Sequence, residues 1–326
     1  MLINMSHGSG GKSTSDLVSD CFSKHLGNPI LNRMEDGAVF SLSGEIAMTT
    51  DSFVITPLFY KGGDIGRLAI CGTVNDLLMM GATPKYLTAG FIIEEGMNSE
   101  TLEKIVISMA EAARMAGVII VAGDTKVVEG KGGLFINTTG IGVIPQGRNI
   151  SAANCRAGDL VLVSGSLGNH HACIMSERMG IKNNIKSDNI PLNNPVNALF
   201  NAGINVKAMR DVTRGGLGTV INELCSSSQV GAVLVESAFP IDEEVSGLCE
   251  ILGLDPLYMG NEGKFVAIID KNDKEKAVNA LASFEESKNA CIIGEIIDGE
   301  GVLLKTKTGI LRKVGVLTGQ GLPRIC

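Results

Sequence analysis

The chain has 326 residues, enough for two ordinary domains at about 150 residues each, and its 44% hydrophobic and 19% charged content is that of a chain that packs cores. A net charge of −7 and a pI near 5.2 argue against nucleic acid or an anionic membrane as the main partner, and no apolar run approaches the ~18 residues of a membrane span. With ten Phe, three Tyr and no Trp, the cores are expected to be aliphatic.

The N-terminal MLINMSHGSGGK lacks the basic start and apolar stretch of a secretion signal, so the cytoplasm is the expected compartment. Residues 37–42 (GAVFSL) and 46–55 (IAMTTDSFVI) are predicted strands, the second enriched in β-branched residues. A helix is predicted over 64–80, then another over 99–116, with Leu102, Ile105, Val106, Met109, Ala113 and Ala116 on one face. Strands follow at 118–122 and 134–144. The stretch 145–158 (PQGRNISAANCRAG) breaks the pattern and suggests a boundary, giving domains 1–150 and 151–313. Next come a strand in DLVLVSGS, a His-rich turn, a helix and a polar loop over 182–195. Helices are then predicted near 195–203, 215–228, 241–252 and 273–284, and strands near 231–236, 263–270, 291–298 and 301–306. Both halves mix the two element types, so the class is α/β or α+β. Residues 314–326 (VGVLTGQGLPRIC) carry three glycines and a proline, which suggests a mobile tail.

That tail ends in Cys326. The other seven cysteines are scattered with no Cys-x-x-Cys pair, and most sit in apolar surroundings such as LAICGTV. They are expected to be buried thiols in a reducing compartment.

Several carboxylates look out of place. Asp76 falls on the apolar stripe Ile65, Ala69, Gly72 of the first predicted helix, where an unpaired charge is costly. Asp51 ends the run IAMTTD, Asp124 follows VIIVAG and Asp36 precedes GAVFSL. Each alone reads equally well as a turn or cap. Together with Asp211 in MRDVTRGGL they suggest an oxygen-ligand site for Mg²⁺ and a nucleotide. Glycines supply anion cradles: His7, Gly8, Gly10, Gly11 and Lys12 lie in HGSGGKS, and Gly215 and Gly216 follow Arg214 at a predicted helix start. HGSGGKS is not a Walker A loop, because Ser6 stands where the first Gly belongs. Lys126, after a turn at Asp124, and Glu262, in the turn GNEGK, would ordinarily be solvated. The adjacent His170 and His171 lack a third metal ligand and read as surface residues.

The blocks HGSGGK, TTDSFVITPLF, GGDIGRLAICGTVNDL, AGDTKVVEG, RDVTRGGL, CEILGLDP, NEGKFVAIID and the terminal LPRIC closely resemble the HypE family of hydrogenase maturation factors, in order and over nearly the whole chain. The resemblance implies the two-domain fold of aminoimidazole ribonucleotide synthetase, with N-terminal sheets pairing into a barrel in a homodimer. It implies ATP and Mg²⁺ as cofactors, and it adds Asn75 and Thr125 to the nucleotide-binding residues. It further implies that a carbamoyltransferase, HypF, loads a carbamoyl group onto Cys326. The chain would then dehydrate this S-carboxamide to a thiocyanate, with Glu262 as base and Lys126 as electrostatic partner, and pass the cyano group to iron on a HypC–HypD complex. Two other readings remain at this point. One is another ATP-using enzyme of the same fold; a selenophosphate synthetase would need a reactive Cys beside the N-terminal glycines, where the nearest is Cys21. The other is a carrier that presents Cys326 without catalysing anything.

Overall fold

A computed structural model describes residues 1–9 and 11–317; Gly10, Cys326 and the rest of 318–326 lie outside the described residues. In chain order the helices are α1 (Lys12–Leu17), α2 (Lys24–Leu26), α3 (Ile65–Met79), α4 (Ser99–Ala116), α5 (Asn169–Met179), α6 (Asn193–Asn201), α7 (Gly216–Ser228), α8 (Glu243–Leu252) and α9 (Lys274–Ala282). The strands are β1 (Glu45–Phe53), β2 (Phe59–Tyr60), β3 (Gly63–Asp64), β4 (Thr83–Glu94), β5 (Ile119–Val128), β6 (Leu134–Ile144), β7 (Leu160–Val163), β8 (Val206–Asp211), β9 (Gly231–Val235), β10 (Phe265–Ile269), β11 (Cys291–Ile297), β12 (Gly301–Lys305) and β13 (Leu311–Val314).

The first half is a four-stranded sheet in the order β1-β6-β4-β5. Its pairs are antiparallel except β4 with β5. One face carries α3, which packs on β1 and β6 and against α4. Helix α3 starts where Asp64 Oδ1 accepts the Gly66 and Arg67 N–H groups at 2.7 and 3.1 Å, an N-cap that satisfies orphan donors of the first turn. Almost every residue of α3 is buried, because it lies between the sheet, α4 and the second half of the chain. At its far end it reaches β8.

The second half is built on a seven-stranded mixed sheet, β13-β12-β9-β11-β7-β10-β8. Strand β10, flanked by β7 and β8, is buried at all five residues, as its uninterrupted apolar run FVAII requires. Among the described residues no helix is long and apolar enough to cross a membrane. All seven described cysteines are free; six are buried and Cys291 is half-buried.

Four expectations are corrected. Residues 37–42 form no strand: the segment pairs with no ladder and is held by Phe40 packing on Tyr86, with ring centroids 4.3 Å apart. There is no turn at Asp124, since β5 runs on through Asp124 and Lys126, paired with β4 as far as Glu94↔Val128. The His-rich turn is helix, the first turn of α5. The tail starts later than 314, because Val314 closes β13 and its carbonyl accepts from Asn222 at 3.1 Å. Five strands, β2, β3, β4, β8 and β13, were not anticipated. Of these, β8 hides three buried residues (Val206, Ala208, Met209) behind charged neighbours, and β13 is an exposed edge.

Candidate active site

Where α3 meets the end of β8, a cavity of about 60 Å³ is lined by Asp51, Asp76, Asp211, Arg214 and Glu262. Each carboxylate arrives by a different route. Asp51 lies on the helix-covered face of β1, Asp76 projects from the last turns of α3, and Asp211 ends β8. Glu262 sits in the turn before β10. Gly72 permits the convergence: a Cβ there would meet the Phe53 ring at 2.7 Å, so α3 lies closer to β1 than any larger residue allows.

Crowding acids in a half-dry space raises their proton affinity. Burial, then the charges of Asp211, Asp188 and Asp51, pushes Glu262 well above the usual carboxylate range, against the pull of Arg214. Burial, then Asp76, pushes Asp211 up to about 7. Burial also raises Asp51 and Asp76. Asp76 is partly compensated by the Thr49 hydroxyl, which donates to Oδ2 at 2.8 Å.

The other anticipated residues gather elsewhere. A larger cavity of about 330 Å³ lies between the N-terminal helical segment and β5. Its lining combines Gly8, Asp36, Asp124, Thr125 and Lys126 with the apolar Phe22, Leu26, Ile30 and Phe91. Lys126 donates to Asp124 at 3.0 Å in an exposed ion pair, which holds the Asp124 carboxyl below its usual value. His7 is buried, its Nδ1 2.9 Å from Asn4 Oδ1. Gly11 caps α1, and Lys12 opens it from the surface. Gly215 and Gly216 lead into α7 with φ of +82° and +62°.

Thus the five aspartates form two groups, Asp51, Asp76 and Asp211 in one and Asp36 and Asp124 in the other. Successive side chains of a strand face opposite ways. Register pairs Asp51 with Thr138 and Ala89 in one row, and Asp124 with Gly90, Asn137 and Ser52 in the next. Asp124 and Lys126 therefore lie on the open face of the sheet and at its opposite edge from Asp51. One chain does not bring Lys126 to Glu262. Among the described residues, no three His, Cys, Asp or Glu converge closely enough to hold a metal by themselves.

His170 and His171 are not surface residues. Both are buried, and burial presses both down to about 4. Asn75 is buried too and acts through the backbone. Its amide donates to the Ile190 and Glu262 carbonyls at 3.1 and 3.3 Å and accepts the Leu192 N–H at 2.9 Å. The sequence reading missed Asp188, whose Oδ1 accepts the Glu262 N–H at 3.0 Å; its place in a polar loop gave no signal.

Comparison with known proteins agrees with this architecture. Residues 34–144 match the N-terminal domain, and residues 156–306 the C-terminal domain, of AIR synthase related proteins. The carbamoyl dehydratase HypE of Azotobacter vinelandii is 48% identical over 99% of this chain and 97% of its own length.

The chain belongs to the HypE family.

The HypE of Escherichia coli K12 is 44% identical, with 99% of each chain covered. A crystal structure of hydrogenase maturation protein HypE in complex with ATP superposes with a TM-score of 0.95 at 43% identity, covering 99% of both chains. A HypE–HypF complex gives 0.82 at 46% identity, covering 92% of this chain and 99% of that one. The fold is accordingly the mixed α/β, two-domain AIR synthase-like fold of HypE.

Proposed function

We propose that this chain is an ATP-dependent carbamoyl dehydratase acting on its own terminus. It converts an S-carboxamide on Cys326 to a thiocyanate, while ATP becomes ADP and phosphate. The observation that carries the reading is Glu262, a buried carboxyl beside Asp211 and Arg214 in a chain of the HypE family.

The chemistry requires two events. The amide oxygen is a poor leaving group, so it first takes the γ-phosphoryl group. The nitrogen then loses its protons as the C–O bond breaks, phosphate leaves with that oxygen, and the nitrile forms. The elements of water end in the phosphate. Glu262 suits the second event: in its ionised form, a carboxylate of raised proton affinity is a stronger base. Arg214 lies beside it and offsets charge that develops on the phosphoryl oxygens.

A cavity of about 60 Å³ is too small for a nucleotide. We assign ATP to the 330 Å³ cavity, its base against the apolar lining and its phosphates against the glycine and lysine. Mg²⁺ bound to phosphates needs only one or two carboxylates, a demand the two aspartate groups meet without a preformed cage. It would neutralise phosphate charge there.

Lys126 acts, in this account, across a homodimer. The open sheet face exposes Met48 (69%), Ile46 (50%) and Ile92 (46%), an apolar surface that a second copy would cover. Face-to-face pairing of the two sheets sets β5 of one copy near β1 of the other. Cys326 lies nine residues past Leu317, whose N–H reaches the Thr219 hydroxyl at 3.4 Å, close to Arg214 in sequence and at the start of α7. Nine extended residues span up to ~30 Å, and Arg214, just ahead of α7, lines the same cavity as Glu262. Loading by a HypF-type carbamoyltransferase and delivery to a HypC–HypD complex complete the proposed route, in the cytoplasm, with domains dividing near residue 150.

The rival reading as a selenophosphate synthetase is disfavoured by Cys21, a buried thiol that burial pushes up to about 12. Phosphate release tests the proposal. Chain carbamoylated on Cys326 should release phosphate from Mg·ATP in proportion to its carboxamide. Glu262→Gln should fold, bind ATP and be slower by roughly 10²–10⁴-fold. Undiminished turnover in that variant would remove Glu262 from the mechanism.

A further inference from the structure

The loop between α5 and α6 bonds to the first half of the molecule and to the Glu262 turn. Four consecutive residues, 187–190, are each hydrogen-bonded to other elements. The Ser187 hydroxyl lies 2.8 Å from His170 Nδ1, and its N–H donates to the Lys61 carbonyl at 2.8 Å. Asn189 donates to the Tyr60 hydroxyl at 2.9 Å, and its carbonyl accepts from Arg67 Nε at 2.9 Å. The Ile190 carbonyl accepts from Asn75.

Asp188 is the member that faces the Glu262 turn. Its Oδ1 accepts the Glu262 N–H at 3.0 Å. Its Oδ2 lies 3.6 Å from Lys264 Nζ, and both side chains are almost fully buried, 7% and 6% exposed for Lys264 and Asp188. Lys264 Nζ also donates to the Gly263 carbonyl at 2.9 Å. Residues 262–264 therefore fold around a single carboxylate. Gly263 is what lets them: a Cβ there would sit 1.8 Å from the Asp188 carbonyl oxygen.

A buried ion pair is a poor stabiliser. Its desolvation cost rivals its attraction, and an apolar pair of similar volume is often as stable. What fixes direction and distance here is the charge-assisted hydrogen bond from the Glu262 N–H to Asp188 Oδ1, with Lys264 balancing the charge of the same carboxylate at 3.6 Å. The fixed object here is the backbone of Glu262, held at its N–H by Asp188 and at its carbonyl by Asn75 from α3, the helix that also carries Asp76.

We propose that Asp188, neutralised by Lys264, is a positioning residue that sets the Glu262 carboxyl against the reacting amide. It touches neither substrate nor nucleotide; it acts through the Glu262 backbone, and its charge adds to those that raise the Glu262 carboxyl. This rests on the reading of Glu262 as the base. A base must be held within about 0.5 Å of its working position, and a displacement near 1 Å costs on the order of 10²-fold.

Two double variants isolate the hydrogen bond, both with a neutral interior. Asp188→Asn with Lys264→Met keeps an acceptor for the Glu262 N–H, and Asp188→Leu with Lys264→Met removes it. In carbamoylated full-length protein, the Asn pair should keep kcat within about threefold of the parent, and the Leu pair should lose roughly 10–100-fold with KM for ATP unchanged. Equal kcat in the two pairs, or a loss that appears in KM alone, overturns the proposal. Glu262→Gln measured alongside separates the two levels: parent-like turnover there defeats the base assignment itself, while a dead Gln variant with equal double variants defeats only the role of Asp188. If the Leu pair does not fold, amide exchange in the parent decides. The Glu262 N–H should exchange only with global unfolding, and exchange as fast as an open loop amide overturns the proposal.

Discussion

Glu262 and the pair His170–His171 show one physical cause acting on groups of opposite charge. Burial disfavours the ionised form, so it raises the acid and depresses the bases, and all three tend to neutrality. For the histidines the consequence is a stability gradient. Their folded-state values near 4 lie below the ordinary 6.5, so between those limits the unfolded chain binds more protons than the folded one. Stability is then full above pH 6.5 and falls as pH drops toward 4. Denaturant midpoints measured from pH 7 to pH 4 should decline, and a His170→Gln/His171→Gln double variant should show a shallower slope; an unchanged slope would mean that other groups set it. Neither burial was legible in the sequence. Two adjacent histidines in GNHHAC look like a solvated turn, whereas in the fold His170 packs against Tyr60, with centroids 5.5 Å apart, and meets the Ser187 hydroxyl. Glu262 looked equally ordinary from its own neighbours, and its weight came from family resemblance.

At the scale of elements, α3 does the most to assemble the site. Its sequence declared it well: a start at Asp64, an apolar interior and a carboxylate at Asp76 that apolar neighbours could not explain. Close packing on β1 depends on Gly72, 2.7 Å in Cβ terms from the Phe53 ring. Gly72→Ala should push α3 and β1 apart, lower stability by about 1–3 kcal/mol, and separate Asp76 from Thr49 and Asp51. Thermal melts together with phosphate-release assays check this; a variant with parent-like stability and turnover would show that the close approach is unneeded. Strand β5 shows where pattern reading stopped short. VIIVA was read as a whole strand because Gly123 and Asp124 look like a turn, yet pairing with β4 carries GDTKVV onward. That extension puts Lys126 on the open sheet face. Faces and edges depend on register, which short polar segments do not encode by themselves.

For the whole molecule, most of the longer helices and several strands were readable in order from periodicity, and the fold class from the mixture of elements. The split of the five aspartates was not, since strand order β1-β6-β4-β5 separates residues that sequence motifs make appear equivalent. That split motivates the second copy. Met48→Glu, on the exposed apolar face at edge strand β1, should shift the protein from dimer to monomer by light scattering and abolish dehydration without lowering the melting temperature by more than about 2 °C; an active monomer would confine the whole reaction to one chain. The most direct test of the central claim is the intact mass of the carbamoylated chain after incubation with Mg·ATP. The account predicts loss of one water from the chain, dependent on ATP and absent in Cys326→Ala, whereas an unchanged mass, or a loss that proceeds without ATP, would contradict it.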